Sequence, residues 1–268
     1  MTMENPPIDE LQRIESLAAE LAALAGADIQ FALGKAMQVS YKGEPGWMRD
    51  PVSEVDHACE VMIRARLAEA APGHDIIGEE IDERPGRNHD WVWAIDPIDG
   101  TANFVSGLPM FAASIGVLYR GRPVVGALWC SATHALRPGV YSAHVGGSLN
   151  FDGAEFVRPD RAQVRRSLVG TPQGGTAEPF DTRLTGSAAI ECAFVAAGLL
   201  AGTRLGAPNL WDVAGGAALV LAAGGDVRIH TAEGWVPFTS FEGPDGDLAR
   251  WRAPMALGRP DALEALMV

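Results

Sequence analysis

Cysteine is scarce. Cys59, Cys130 and Cys192 are three in 268 residues, an odd number with no Cys-x-x-Cys spacing. That excludes a disulfide framework and a thiolate zinc site, and fits buried free thiols in a reducing compartment. Long apolar runs are missing too. No stretch reaches the roughly 18–20 residues of a membrane span. Residues Met1 to Pro7 carry neither the basic nor the apolar region of a secretory leader. A cytoplasmic protein with no membrane partner is expected. Basic residues are the minority, 21 against 34 acids, for a net charge of −13. No basic patch offsets that charge, so no nucleic-acid partner is expected.

Several site signatures are also missing. There is no Gly-x-Gly-x-x-Gly fingerprint, and the loop from Gly170 to Gly175 lacks the lysine and spacing of a P-loop. No Gly-x-Ser-x-Gly or Cys–His arrangement suggests covalent catalysis. The six histidines (His57, His74, His89, His134, His144 and His230) lack metal-ligand spacing and are expected at the surface or hydrogen-bonded. No repeat or low-complexity linker is evident.

What is present is a 47% hydrophobic chain, long enough for a sizeable core. Ile8, Leu11, Ile14, Leu17, Leu21 and Leu24 recur at helical spacing, which predicts a helix over 8–25 with Gly26 as its stop. Residues 27–49, with Lys35, Lys42, Gly43, Pro45 and Gly46, read as an irregular loop or flap. Ser53 is a good N-cap for a helix bearing Val55, Cys59, Met62, Ile63 and Leu67. Strands are expected at 75–78, 111–117, 124–129, 140–143 and 167–169, and a hairpin at 227–237. Small-residue helices are expected at 188–200 and 209–224, and a short helix at 261–267.

The chemistry gathers around Trp91-Val92-Trp93-Ala94-Ile95, an apolar strand that runs into Asp96-Pro97-Ile98-Asp99-Gly100-Thr101. Two carboxylates at a strand end, followed by Gly-Thr, suit a divalent cation and a phosphate. Asp-Pro and Asp-Gly are also common turn formers, so this stretch alone leaves both readings open. A second strand ends in Gly78-Glu79-Glu80, whose acids read either as solvated surface or as part of a shared sheet-edge site. Asp56, three residues after Ser53, completes a capping box or points into that site. Asp212 is either a helix cap or a further ligand. These acids and the Ile98 carbonyl are hard oxygen donors, a set for Mg²⁺ or Mn²⁺ and not for Zn²⁺. Brought together without cations they would repel. With cations they would attract a small phosphorylated metabolite, and the lack of a covalent nucleophile favours direct attack by water.

Four motifs, in order, resemble the inositol monophosphatase family: Asp50-x-Val52-Ser53-x-x-Asp56, Gly78-Glu79-Glu80, Trp93-x-x-Asp96-Pro97-x-Asp99-Gly100-Thr101-x-Asn103-Phe104, and Trp211-Asp212-x-Ala214-Gly215-Gly216. The resemblance implies an α/β (α+β) fold, the layered αβαβα sandwich of the inositol monophosphatase and fructose-1,6-bisphosphatase type. It implies one catalytic unit over 1–268, with lobes of about 1–145 and 146–268, assembled as a homodimer. The implied activity is a Mg²⁺-dependent, Li⁺-sensitive phosphomonoesterase. Glu79, Asp96 and the Ile98 carbonyl would hold a first metal, and Asp96, Asp99 and Asp212 a second. Glu79 would serve a weaker third through water. Thr101, with Asp56, would orient the attacking water. Backbone N–H groups of Gly100 and Thr101 would bind phosphate, while Asp99, Gly186, Ser187 and Ala188 would face the substrate's hydroxyls.

The sequence departs from that pattern twice. Ser53 replaces the usual threonine and keeps the hydroxyl. Leu205, seven residues before Asp212, stands where inositol phosphatases carry a ring-contacting glutamate, and Arg204 lies beside it. Arg204 is either a surface charge or a contact for a second anionic group on the substrate. Inositol 1-phosphate is therefore the first expectation, with 3′-phosphoadenosine 5′-phosphate, histidinol phosphate and fructose 1,6-bisphosphate as alternatives. A haloacid dehalogenase-type phosphatase would need its aspartates two apart, not three. Regulatory binding, known for some family members, is the reading outside catalysis, and retention of the full acidic set argues against it as the sole role.

Overall fold

The computed structural model of the protein describes residues 6–33, 39–42, 51–158, 167–172 and 177–268. Lys35, Gly43, Pro45, Gly46 and Asp50 of the expected flap and first motif lie outside the described residues, as do residues 173–176 of the glycine-rich loop.

The first helix, α1 (Ile8–Ala32), runs past the expected stop at Gly26. A Cβ at Gly26 would stand 2.3 Å from Trp129 Cδ1, so this glycine is a notch for an indole and not a helix end. The strands β1 (Val39–Tyr41) and β2 (Pro51–Ser53) pair antiparallel and lead into α2 (Glu54–Ala70). The next strands are β3 (Asp75–Gly78) and β4 (Trp91–Asp99). A five-residue helix, α3 (Thr101–Val105), follows. Then come β5 (Ala112–Tyr119), β6 (Arg122–Cys130), β7 (Gly139–His144), β8 (Asn150–Phe151) and β9 (Ala154–Glu155). These seven strands, β3 to β9, form one sheet in sequence order, parallel at β3/β4 and otherwise antiparallel. It continues to Glu155, past the lobe boundary expected near residue 145.

The second half contributes β10 (Leu168–Gly170), β11 (Asp181–Arg183), α4 (Ala188–Ala196), β12 (Gly202–Leu205) and α5 (Leu210–Ala222). It ends with β13 (Asp226–Thr231), β14 (Gly234–Pro237), β15 (Met255–Gly258) and α6 (Pro260–Leu266). Its six strands are ordered β11-β10-β12-β15-β13-β14. The helix expected over 188–200 ends four residues early, where Gly198 takes a positive φ of 73°.

Helices α1 and α2 cover one face of the seven-stranded sheet. Helices α4 and α5 fill the space between the sheets, and α6 packs outside the six-stranded sheet. The result is five layers, αβαβα. Alternation along β4 explains why this strand is apolar throughout: Trp93 and Ile95 join the α1/α2 core, while Val92 and Ala94 join the α4/α5 core. Where α5 crosses the sheet, backbone meets backbone. A Cβ on Gly116 of β5 would lie 2.4 Å from the Gly215 nitrogen, and one on Gly126 of β6 would lie 2.2 Å from the Gly215 carbonyl oxygen. That close seat brings the start of α5, with Asp212, over the end of β4. Among the described residues, no helix is long and apolar enough to cross a membrane. All three cysteines are buried free thiols.

Candidate active site

The Asp-Pro-x-Asp segment does not end its strand. Pairing with β5 continues from Asp96↔Ser114 to Asp99↔Ala112 across a register shift. Pro97 has no N–H to place in a ladder, and a bulge is where proline is tolerated. The bulge lets both Asp96 and Asp99 approach one point. One carboxylate oxygen each from Asp96, Asp99 and Asp212 lies within 4.8 Å of the others. Asp96 and Asp99 are buried, and Asp212 is half-buried.

The remaining acids arrive from helix starts and from β3. Asp56 and Asp212 both occupy the third helical position and both bond the backbone of their caps. Asp56 Oδ2 accepts the Ser53 N–H at 2.9 Å and the Ser53 hydroxyl at 2.5 Å. Asp212 Oδ2 accepts the Asn209 N–H at 2.7 Å. The capping roles are thus real, and they aim the side chains. The other Asp56 oxygen lies 3.1 Å from the Thr101 hydroxyl, which is also 2.8 Å from the Ile98 carbonyl oxygen. Glu79 follows β3, its N–H donating to the Ile95 carbonyl at 3.2 Å. From there its charge acts on Asp96, Asp99 and Asp212.

Gly100 takes a left-handed φ of 90°, which turns the chain from β4 into α3 with little steric cost. A side chain there would meet the Met110 carbonyl at 3.1 Å and Ser187 Cβ at 3.2 Å. The loop before α4 therefore presses on the Asp-Gly-Thr turn. Ser187 Oγ donates to Asp99 Oδ2, as does the Ala189 N–H at 2.7 Å. Ser187, Ala188 and Ala189 thus hold Asp99, while Gly186 lies against Asn103 and the Gly100 turn.

Arg204 does not join this group. Its guanidinium donates to the Leu266 and Val268 carbonyls at 3.2 and 3.3 Å and stacks over Trp235 at 5.6 Å. Neighbouring side chains on a strand face opposite ways. Thr203 points to Glu191 on α4, and Arg204 points to the outer, α6 side.

Electrostatics mark the cluster. Burial, reinforced by Glu79, Asp99 and Asp212, pushes the Asp96 carboxyl well above its ordinary value. Burial raises Asp99 to about 7 against the opposing Ser187 and Ala189 hydrogen bonds. Burial and the Asp99 charge raise Asp212 to about 8. Asp56 is also raised by burial, partly offset by Ser53 and Thr101. Asp96 Oδ1 is buried with no hydrogen-bond partner among the described residues. An orphaned carboxylate oxygen among all-oxygen donors is what a hard cation would satisfy, so the residues fit Mg²⁺ or Mn²⁺.

Two further side chains take part whose partners no spacing shows. Lys42 Nζ bridges Glu79 Oε1 at 2.7 Å and Glu80 Oε1 at 2.8 Å. Burial works against its charge, but the two carboxylates outweigh burial and raise the Lys42 pKa. Asn103 Nδ2 donates to the Met110 and Thr185 carbonyls at 2.7 and 2.8 Å, tying α3 to the loop before α4. Asn103 was visible within the central motif, but its partners, brought close only by the fold, were not.

Relatives share this arrangement of sequence and fold. Residues 10–243 match the inositol monophosphatase family. Inositol monophosphatase 2 of Solanum lycopersicum is 31% identical over 239 residues, covering 80% of this chain and 86% of that protein. Nus factor SuhB of Salmonella typhimurium is 34% identical over 239 residues, covering 81% and 85%. The solved inositol monophosphatase from Anabaena (Nostoc) superposes with a TM-score of 0.72 at 26% identity, covering 96% of this chain and 95% of that one. The chain belongs to the inositol monophosphatase family and is, with it, a phosphoric monoester hydrolase.

Proposed function

We propose that the chain is a Mg²⁺-dependent phosphomonoesterase that hydrolyses inositol 1-phosphate by direct attack of water. The observation that carries this reading is the cluster of buried Asp96 and Asp99 with half-buried Asp212, with its unpartnered Asp96 oxygen, beside the Thr101–Asp56 pair. Asp96, Asp99, Asp212, Glu79 and the Ile98 carbonyl would hold two or three Mg²⁺ ions, or Mn²⁺ in their place. When bound, the ions would supply positive charge that offsets the phosphate, eases ionisation of a water and steadies the leaving oxygen.

The chain's own groups do the rest. The Thr101 hydroxyl has one proton and two acceptors, Asp56 and the Ile98 carbonyl. Its lone pairs remain to accept a hydrogen bond from water and orient it. Asp56, raised by burial, is the local acceptor for the proton that leaves. N–H groups at Gly100 and Thr101 would hold phosphate oxygens. Gly186, Ser187 and Ala188, in the loop that presses on the Asp-Gly-Thr turn, would face the substrate's hydroxyls. Substrate choice is open to the departure at Leu205, which is buried on β12 and offers no polar ring contact. Arg204, turned to the chain's end, lends no support to a second anionic group.

The test is a panel of inositol 1-phosphate, histidinol phosphate, fructose 1,6-bisphosphate and 3′-phosphoadenosine 5′-phosphate, with Mg²⁺ and with or without Li⁺. Fastest turnover of inositol 1-phosphate, inhibited by Li⁺, supports the proposal. Preference for another ester moves the substrate without moving the chemistry. A homodimer in the cytoplasm is part of the proposal, and sedimentation tests the dimer. The name of the Salmonella typhimurium relative, Nus factor SuhB, favours a second reading, regulatory binding. Full turnover in the panel argues against binding as the sole role.

A further inference from the structure

Glu60 is a fully buried carboxylate outside the acidic cluster. It lies one helical turn after Asp56, so α2 presents both acids on one face. Glu60 Oε2 accepts the Glu80 backbone N–H at 2.8 Å, and Oε1 accepts Arg64 Nε at 2.7 Å. The Arg64 guanidinium then donates to the Ile81 and Glu83 carbonyls at 2.6 and 2.8 Å. The pair therefore grips three backbone groups of the segment just after Glu79. The grip is close: a Cβ on Gly78 would stand 1.9 Å from Glu60 Oε1. Glu79 itself is held through its own N–H to Ile95, the residue before Asp96.

We infer that Glu60, with Arg64 as its counter-ion, is a positioning residue that sets the approach of Glu79 to the metal site. This rests on the proposed metal site. Helix α2 then acts as a ruler: Asp56 fixes Thr101 at one end, and Glu60 fixes the Glu79 segment one turn later. The charge pair has a purpose beyond packing. A glutamine would fill the same volume, but its single amide oxygen could accept from the Glu80 N–H or from the guanidinium and not from both, and its NH₂ would face the other donor.

The experiment measures Mn²⁺ affinity by electron paramagnetic resonance on metal-stripped protein, for the unaltered chain and for Glu60→Gln, Gly78→Ala and Asp212→Asn. Gly78→Ala sets a methyl against the Glu60 oxygen that Arg64 holds, so it displaces the carboxylate while both charges remain in the chain, and it decides the matter if Glu60→Gln does not fold. Amide exchange at Glu80 is followed in chelator, with no metal present. Glu60→Gln and Gly78→Ala are each expected to bind Mn²⁺ about 10- to 100-fold more weakly and to exchange the Glu80 amide faster, with the amide slow in the unaltered chain. Mn²⁺ binding within about twofold of the unaltered chain in either folded variant overturns the inference. So does fast Glu80 exchange in the unaltered chain. Failure of the metal site itself looks different: the unaltered chain and Asp212→Asn would then bind Mn²⁺ alike, or not at all.

Discussion

Asp99 Oδ2 accepts the Ala189 N–H at 2.7 Å, so the carboxylate that ends β4 of one sheet also holds the first turn of a helix beneath the other. One oxygen serves the fold, which leaves the other for the cluster. Asp99→Asn keeps an acceptor for Ala189 and removes a buried charge. Activity with Mg²⁺ is expected to fall by several orders of magnitude, while the melting temperature in chelator stays level or rises. Asp99→Ala also loses the acceptor and is expected to cost about 1–3 kcal/mol. Denaturant titration and a phosphate-release assay on the two variants check both halves.

Stability without metal is expected to fall as pH rises. Burial holds the folded carboxyls of Asp99 and Asp212 at about 7 and about 8, whereas unfolded aspartate titrates near about 3.9. A raised acid keeps its proton in the folded chain after the unfolded chain has released it. Its contribution is therefore full below about pH 4 and is lost as pH climbs through about 7 to 8. In chelator, the melting temperature is expected to drop between about pH 4 and about pH 8 and to level off above that. Mg²⁺ is expected to flatten that slope, because cations take the deprotonated carboxylates. A melting temperature that rises with pH in chelator contradicts the assignment.

Thr101→Ala is expected to lower kcat by on the order of 10²- to 10⁴-fold, with Mn²⁺ affinity changed only slightly. Thr101→Ser keeps the hydroxyl 2.8 Å from the Ile98 carbonyl and is expected to recover most of the loss. Equal loss in both variants would mean that the methyl group, not the hydroxyl, matters.

Gly26→Ala is expected to destabilise the fold by about 1–3 kcal/mol through overpacking, since its Cβ would fall within the Trp129 ring. Kinetics per folded molecule are expected to be unchanged. Denaturant midpoints and active-site titration measure the two effects separately.

Gly26 also shows where sequence reading ends. The helical spacing of α1 was legible, but its length was not, because the residue that explains Gly26 is Trp129, far along the chain. The Asp96–Asp99 spacing was legible as a site, but a turn at Pro97 was the expectation. Pairing with Ser114 and Ala112 instead carries the strand through a bulge. For Asp56 and Asp212 the sequence offers a cap or a site; the fold forms both caps, and the same side chains reach Thr101 and the Asp96–Asp99 pair. Arg204 lies beside Leu205, the departure from the family pattern, yet strand alternation and the Leu266 and Val268 carbonyls turn it away from the cluster. Glu60 was one turn from Asp56, a signal present in the sequence. Its meaning depended on the Glu80 backbone, which no spacing reveals.

The most direct test is phosphate release from a simple aryl phosphate by metal-stripped protein, before and after Mg²⁺ is returned, for the unaltered chain and for Asp212→Asn. The account predicts no turnover in chelator, turnover on adding Mg²⁺, and none in the folded variant. Equal turnover with and without Mg²⁺, or equal turnover by Asp212→Asn, would contradict it.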